Sequence, residues 1–176
     1  MKHLLDIPRT AMEVFNMLPE GTLCEVIDNT LYMSPSPTTY HQRLLGKIFA
    51  KIQLFVEDQQ LGEAFIAPCD VYLDEEQNVV QPDILFIKKE REEIIYKNGI
   101  IGAPDLIIEI LSTNKSHDQT RKLELYQRNQ VPEYIIIDSE TKQIWHYLLK
   151  ESVYVLQPQQ EAGQVLIRQL DLTIAI

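Results

Sequence analysis

Two Pro-Asp dipeptides, Pro82-Asp83 and Pro104-Asp105, each head a run of large aliphatics, and Glu109 lies inside the second run. A carboxylate within Asp105-Leu-Ile-Ile-Glu-Ile-Leu111 is costly unless paired, because charge resists transfer from water into an apolar interior. Asp105 and Glu109 fall on one strand and one face but stand about 13 Å apart, at roughly 3.3 Å per residue. Asp83 belongs to the preceding strand, and neighbouring strands lie only about 4.8 Å apart, so Asp83 with Glu109 is the better metal pair. Carboxylates that close repel unless a proton or a hard cation sits between them, and Mg²⁺ takes oxygen ligands of this kind. A buried salt bridge to a lysine, or an exposed strand end, would account for Glu109 as well.

Lys122 is a second anomaly, because Leu125 and Tyr126 follow it at helical spacing and place it on an apolar face. Its local partner is Asp118, one turn earlier. Alternatively its ammonium reaches over the sheet to Asp83 and Glu109, where it could position a water or stabilise charge on a phosphoryl oxygen. His41 shares an apolar face with Leu45 and Ile48 and reads either as a hydrogen-bonded core residue or as a site residue. Glu25 and Asp70 lie in strand-like stretches, each a further carboxylate or an outward-facing position. Arg43, Lys47 and Lys51 form a stripe that is either solvated or set against phosphates.

The elements that must position these groups are legible from punctuation and periodicity. Thr10-Ala-Met-Glu13 is a capping box that opens a short helix ending near Pro19-Glu-Gly21. Leu23 to Met33 reads as a hairpin turning at Asp28-Asn29, broken off by Ser34-Pro-Ser-Pro37. From about Tyr40 to Glu57 a long helix is expected, with Leu44, Leu45, Ile48, Ile52 and Phe55 on its buried face. Gly62 to Leu73, Val79 to Ile87 and Asp105 to Leu111 read as three strands, with Asp74 to Asn78 a polar turn between the first two. Lys88 to Ala103 is a longer excursion. A helix from about Ser116 to Asn129 leads through Val131-Pro132 into a strand at Tyr134 to Asp138, and three short antiparallel strands follow. A mixed sheet flanked by helices buries such a series, in one α/β domain over 1–176.

Composition excludes several classes of function. The 176 residues are 45% hydrophobic and 24% charged, as expected of an ordinary globular chain. A formal charge of −10 has the wrong sign for coating nucleic acid non-specifically, so contact with it must come from a local basic surface or a metal. Cys24 and Cys69 are too few for a disulfide framework and lie in no metal-type spacing. With no apolar run approaching the ~20 residues of a membrane helix and no signal-like segment, a soluble cytoplasmic protein without membrane partners is expected.

The order helix, three strands, helix, strand, with Pro-Asp on the second strand and an acid on the third, resembles the PD-(D/E)XK restriction-endonuclease-like nuclease superfamily. More closely, the chain resembles the Uma-type restriction endonuclease family within it. The likeness rests on Glu25-Val-Ile-Asp-Asn-Thr-Leu31, Met33-Ser-Pro-Ser-Pro37 with His41-Gln42, Ala67-Pro-Cys-Asp-Val-Tyr-Leu73 and Val80-Gln-Pro-Asp-Ile-Leu-Phe-Ile87. It continues through Gly102-Ala-Pro-Asp-Leu-Ile-Ile-Glu-Ile-Leu-Ser112, then Asp118 with Lys122-Leu-Glu-Leu-Tyr126, and Val131-Pro-Glu-Tyr134. The resemblance implies a restriction-endonuclease-like α/β fold with an N-terminal hairpin and a C-terminal antiparallel extension. It also implies a Mg²⁺-dependent phosphodiesterase site, Mn²⁺ being an alternative ion, that acts on nucleic acid, DNA in the first place. A homodimer serving both strands is expected by the same analogy.

In that reading Asp83 and Glu109 hold metal with Asp70 as a further ligand, and Lys122, His41 and Glu25 complete the site. The superfamily expects lysine two residues after the acid, where this chain has Leu111, so Lys122 must supply that cation. The rival expectation is a nuclease-derived binding or regulatory protein without catalysis, which the charge and the Leu111 slot favour.

Overall fold

The computed structural model describes residues 8–74, 77–111, 116–158 and 163–176, without the side chains of 116–119. Helix α1 (Ala11–Met17) opens on the expected capping box, Thr10 accepting from the Glu13 N–H while the Glu13 carboxylate accepts from the Thr10 N–H. Strands β1 (Cys24–Ile27) and β2 (Thr30–Met33) form the expected hairpin. Asp28 and Asn29 at its turn both have positive φ, 49° and 55°, as a two-residue turn that matches strand twist requires. Helix α2 (Thr39–Gln59) is capped by the Thr38 hydroxyl, which accepts from the His41 N–H. It buries His41, Leu44, Leu45, Ile48, Ile52 and Val56 and leaves Phe55 half-buried at the edge of that face.

Two of the three expected strands are each divided. Gly62 to Leu73 becomes β3 (Gly62–Ile66) and β4 (Val71–Asp74), while Val79 to Ile87 becomes β5 (Asn78–Val80) and β6 (Ile84–Lys88). Pro68 and Pro82 lack the N–H a ladder needs, so each run breaks at its proline and its halves join different sheets. The excursion after β6 holds a 3₁₀ segment, Lys89–Ile94, and a small hairpin of β7 (Ile95–Tyr96) and β8 (Gly99–Ile101). Then come β9 (Leu106–Leu111), α3 (Ser116–Arg128), β10 (Glu133–Asp138), β11 (Ile144–Lys150), β12 (Val153–Leu156) and a closing hairpin of β13 (Gln164–Ile167) and β14 (Leu172–Ala175).

One six-stranded mixed sheet has the order β2-β1-β5-β4-β8-β7, and a second has β12-β11-β10-β9-β6-β3. In the second, β10 is parallel to β9 and the other pairings are antiparallel. Alternation sends Ile84, Phe86, Leu106, Ile108 and Ile110 to the face covered by α2 and the closing hairpin. Leu85, Ile87, Ile107, Tyr134 and Ile136 go to the other face, against Leu125 and Tyr126 of α3 and the inner side of the first sheet. Helix α1 covers the outer side of that first sheet with Met12 and Phe15. Arg128 in the last turn of α3 is ion-paired with Asp28 in the β1–β2 turn, which fixes the helix over β1. Among the described residues, no helix is long and apolar enough to cross a membrane.

Candidate active site

The chain crosses from the first sheet to the second at Gln81-Pro82-Asp83, and the site is built at that crossing. Strands β6 and β9 are antiparallel with Ile84 opposite Ile108, so one step further Asp83 faces Glu109. Asp83 Oδ2 accepts from the Ile110 N–H at 2.7 Å and lies 3.1 Å from His41 Nε2. A strand amide and a ring from the first turn of α2 therefore hold it from two directions. Asp105, at the other end of β9, accepts from the Lys88 N–H at 2.9 Å and pairs with Arg91 at 3.0 Å. It closes that end of the ladder and has no part in the site.

Glu109 shares its face with Ile107 and so points towards α3, where Lys122 Nζ and the Tyr126 hydroxyl donate to Glu109 Oε1 at 2.9 and 2.8 Å. The same ammonium donates to Glu25 Oε1 on β1 at 2.9 Å. That oxygen also accepts from the Gln81 N–H at 2.8 Å, and the Gln81 side chain donates to Asp70 Oδ1 at 2.8 Å. Burial pushes the Glu109 carboxyl up to about 7; Lys122 pulls it back, and Asp83 and Glu25 add to the rise. Burial also holds the Tyr126 hydroxyl well above the ordinary phenol range, so it remains a donor. Lys122 thus sits between the carboxyl groups of Glu25 and Glu109, and Asp83 lies near enough to Glu109 to add to its rise.

A cleft of about 750 Å³ opens onto this cluster, lined by Glu25, Asp83, Glu109 and Lys122 and roofed by the Ser34–Thr38 segment with His41. Asp83 Oδ1 and Glu109 Oε2 accept no hydrogen bond among the described residues. No group of three or more His, Cys, Asp or Glu side chains is placed to hold a metal ion among those residues. Mg²⁺, however, is commonly bound by one or two carboxylates, with waters and substrate phosphate oxygens completing its shell. Two uncommitted carboxylate oxygens, one on Asp83 and one on Glu109, fit that ion.

The structure therefore brings together Asp83, Glu109, Lys122, Glu25 and His41. Asp70 does not join them: it lines a second cleft with Cys24, Cys69 and Tyr72 and, among the described residues, meets the site through the Gln81 side chain. The division of the run at Pro68 carries it to the other sheet. Of the basic stripe, Arg43 and Lys47 are exposed, while Lys51 donates to the Ala175 carbonyl at 2.8 Å and tethers β14. The Asp118 side chain, the local alternative for Lys122, lies outside the described residues. Cys24 and Cys69 are free thiols. Sequence reasoning missed Tyr126 and Gln81. A tyrosine one turn after a buried lysine needs a partner for its hydroxyl, and a glutamine inside an apolar run needs several, so each carried a signal.

No curated protein sequence matches the chain. The fold is similar to the crystal structure of a "putative nuclease belonging to DUF820" from Anabaena variabilis ATCC 29413, with a TM-score of 0.75 and 19% identity, over 96% of this chain and 95% of that one. A model of the Uma2 family, described as "Putative restriction endonuclease", matches residues 11–176. With that match over nearly its whole length, and the Pro82-Asp83 and Glu109 stretches brought face to face, the chain belongs to the Uma2 family.

Proposed function

We propose that this protein is a Mg²⁺-dependent nuclease that hydrolyses phosphodiester bonds, with DNA as its substrate and two copies acting where both strands are cut. The observation that carries the reading is Asp83 facing Glu109 across β6 and β9, with buried Lys122 bridging Glu109 and Glu25. Asp83 and Glu109 would hold the ion through their uncommitted oxygens. When bound, Mg²⁺ supplies Lewis-acid charge to a phosphoryl oxygen and lowers the pKa of a water.

The chain's own groups do the rest. His41 and the Ile110 N–H keep Asp83 in one orientation, and Tyr126 and Lys122 do the same for Glu109. His41 Nε2 shares a hydrogen bond with the Asp83 carboxylate, and the ring's Nδ1 is buried without a partner among the described residues. Lys122 offsets charge that develops on the phosphoryl group, and it does so from a fixed position because two carboxylates hold it. The Ser34–Thr38 segment and Leu111 narrow the cleft around the strand being cut. Incubating the protein with labelled DNA, with and without Mg²⁺, tests the reading. Metal-dependent cleavage that disappears in Asp83→Asn is the expected result, and cleavage equal in parent and mutant overturns it.

A further inference from the structure

Arg121 precedes Lys122 on α3, and its guanidinium lies 4.4 Å from the centre of the Tyr32 ring on β2. Tyr32 is the cross-strand partner of Glu25, so the arginine–tyrosine stack stands beside the Lys122–Glu25 pair. Just after Tyr32 and Met33 the chain enters the Ser34–Thr38 segment that roofs the cleft. Neither Arg121 nor Tyr32 lines the cleft itself; the stack flanks the Glu25–Lys122 pair that does. Arg91 and Arg128 are each ion-paired with a carboxylate; among the described residues Arg121 has no such pair, nor has Arg43, which lies 6.0 Å from the centre of the Tyr40 ring, and of these two Arg121 is the one next to Lys122. A guanidinium lying on an aromatic face keeps its N–H edge for an incoming anion, and its planar fork suits phosphate. Held by a ring rather than by a carboxylate, it spends no charge on the protein. In a chain of net charge −10, a cation with no carboxylate partner among the described residues, next in sequence to Lys122, is conspicuous.

We propose that Arg121, steadied by Tyr32, binds a backbone phosphate next to the one being cut and so places the strand in the cleft. This rests on the nuclease reading for the identity of the ligand, nucleic acid. Arg121 touches substrate in this role, whereas Tyr32 is a positioning residue. The plainer role for the stack is packing of α3 onto β2, which would make Arg121 matter for folding alone.

The test is binding of short labelled DNA oligonucleotides at several salt concentrations, with Ca²⁺ in place of Mg²⁺, alongside thermal unfolding of each variant. Arg121→Met should weaken binding about tenfold, the worth of one charge-assisted contact. It should also lower the log–log salt slope by about 0.7–0.9, the share of one phosphate. Arg121→Lys keeps the charge and should restore the slope with only part of the affinity, because the fork and the stack are lost. Tyr32→Leu should weaken binding with the slope unchanged. Lys150→Met, at the opposite end of the sheet on β11, should match the parent.

Parent-like affinity and slope in Arg121→Met overturn the proposal, as does a loss of binding that only tracks a loss of folding. Failure of the parent to bind overturns it together with the nuclease reading. Arg121-dependent binding without any Mg²⁺-dependent cleavage upholds the phosphate contact and removes hydrolysis.

Discussion

Lys122 Nζ lies 2.9 Å from Glu109 Oε1, so helix α3 brings a cation to the acid whose own strand carries Leu111 two residues later. Lys122 is 7% exposed and held between two carboxylates, an arrangement that a solvated helix pair does not need.

Lys122→Met should lower single-turnover cleavage by about 10²–10³, the cost of losing one fixed electrostatic stabiliser. The structure adds a stability penalty, because Glu25 and Glu109 would be left buried without their cation, and breaking such a pair costs about 3–5 kcal/mol. Mg²⁺ should then raise the melting temperature of the mutant more than that of the parent. Equal cleavage rates would remove Lys122 from the mechanism, and an unchanged melting temperature would remove it from the charge balance.

Asp83→Asn and Glu109→Gln should each lower Mg²⁺-dependent cleavage by on the order of 10³, since each removes a charge the metal needs. Asn at position 83 still offers an oxygen to the Ile110 N–H, so stability should change by only about 1 kcal/mol. Circular dichroism and a plasmid-nicking assay on the same samples separate the two effects.

The metal-free protein should lose stability as pH rises towards neutrality. Glu109 keeps its proton up to about pH 7 in the folded state, against an ordinary value of 4.5. The folded chain therefore binds more protons than the unfolded one between those values, and the contribution, fully present below the lower value, is gone above the upper one. Denaturant titrations in EDTA at pH 5 to 8 should show a decline on the order of 1–3 kcal/mol that Glu109→Gln flattens. Parallel pH profiles for parent and mutant would contradict this.

Glu133 should prove the main polar tie of the closing hairpin. It is fully buried on β10, lies 2.7 Å from His146 Nε2, and accepts from the Arg168 and Gln169 N–H groups at 2.7 Å each. Glu133→Ala strands those donors and should cost about 3–5 kcal/mol. Hydrogen exchange should quicken first in β13 and β14, which cover part of the α2 core. Exchange that quickens evenly over the whole chain would argue against a local tie.

What the sequence determined by itself is what short-range rules govern. The Thr10–Glu13 capping box, the Asp28-Asn29 turn and the buried stripe of α2 each depend on neighbours within a turn or two, and each is found where residue type and spacing put it. The pairing of Asp83 with Glu109 was legible for a related reason: each acid is placed by its distance from a Pro-Asp strand start, and adjacent strands bring such positions together. Periodicity also showed that Lys122 faces inward, but spacing along a helix says nothing of what stands across the layer. Its contact with Glu25, 97 residues away, exists because Arg128 and the Leu125–Tyr126 face dock α3 over β1. The proline breaks were visible as residues, yet which sheet each half-run would join depended on competition among ladders far apart in the chain. That competition carried Asp70 away from the acids and left Gln81 between them, an outcome of packing free energy summed over the whole core.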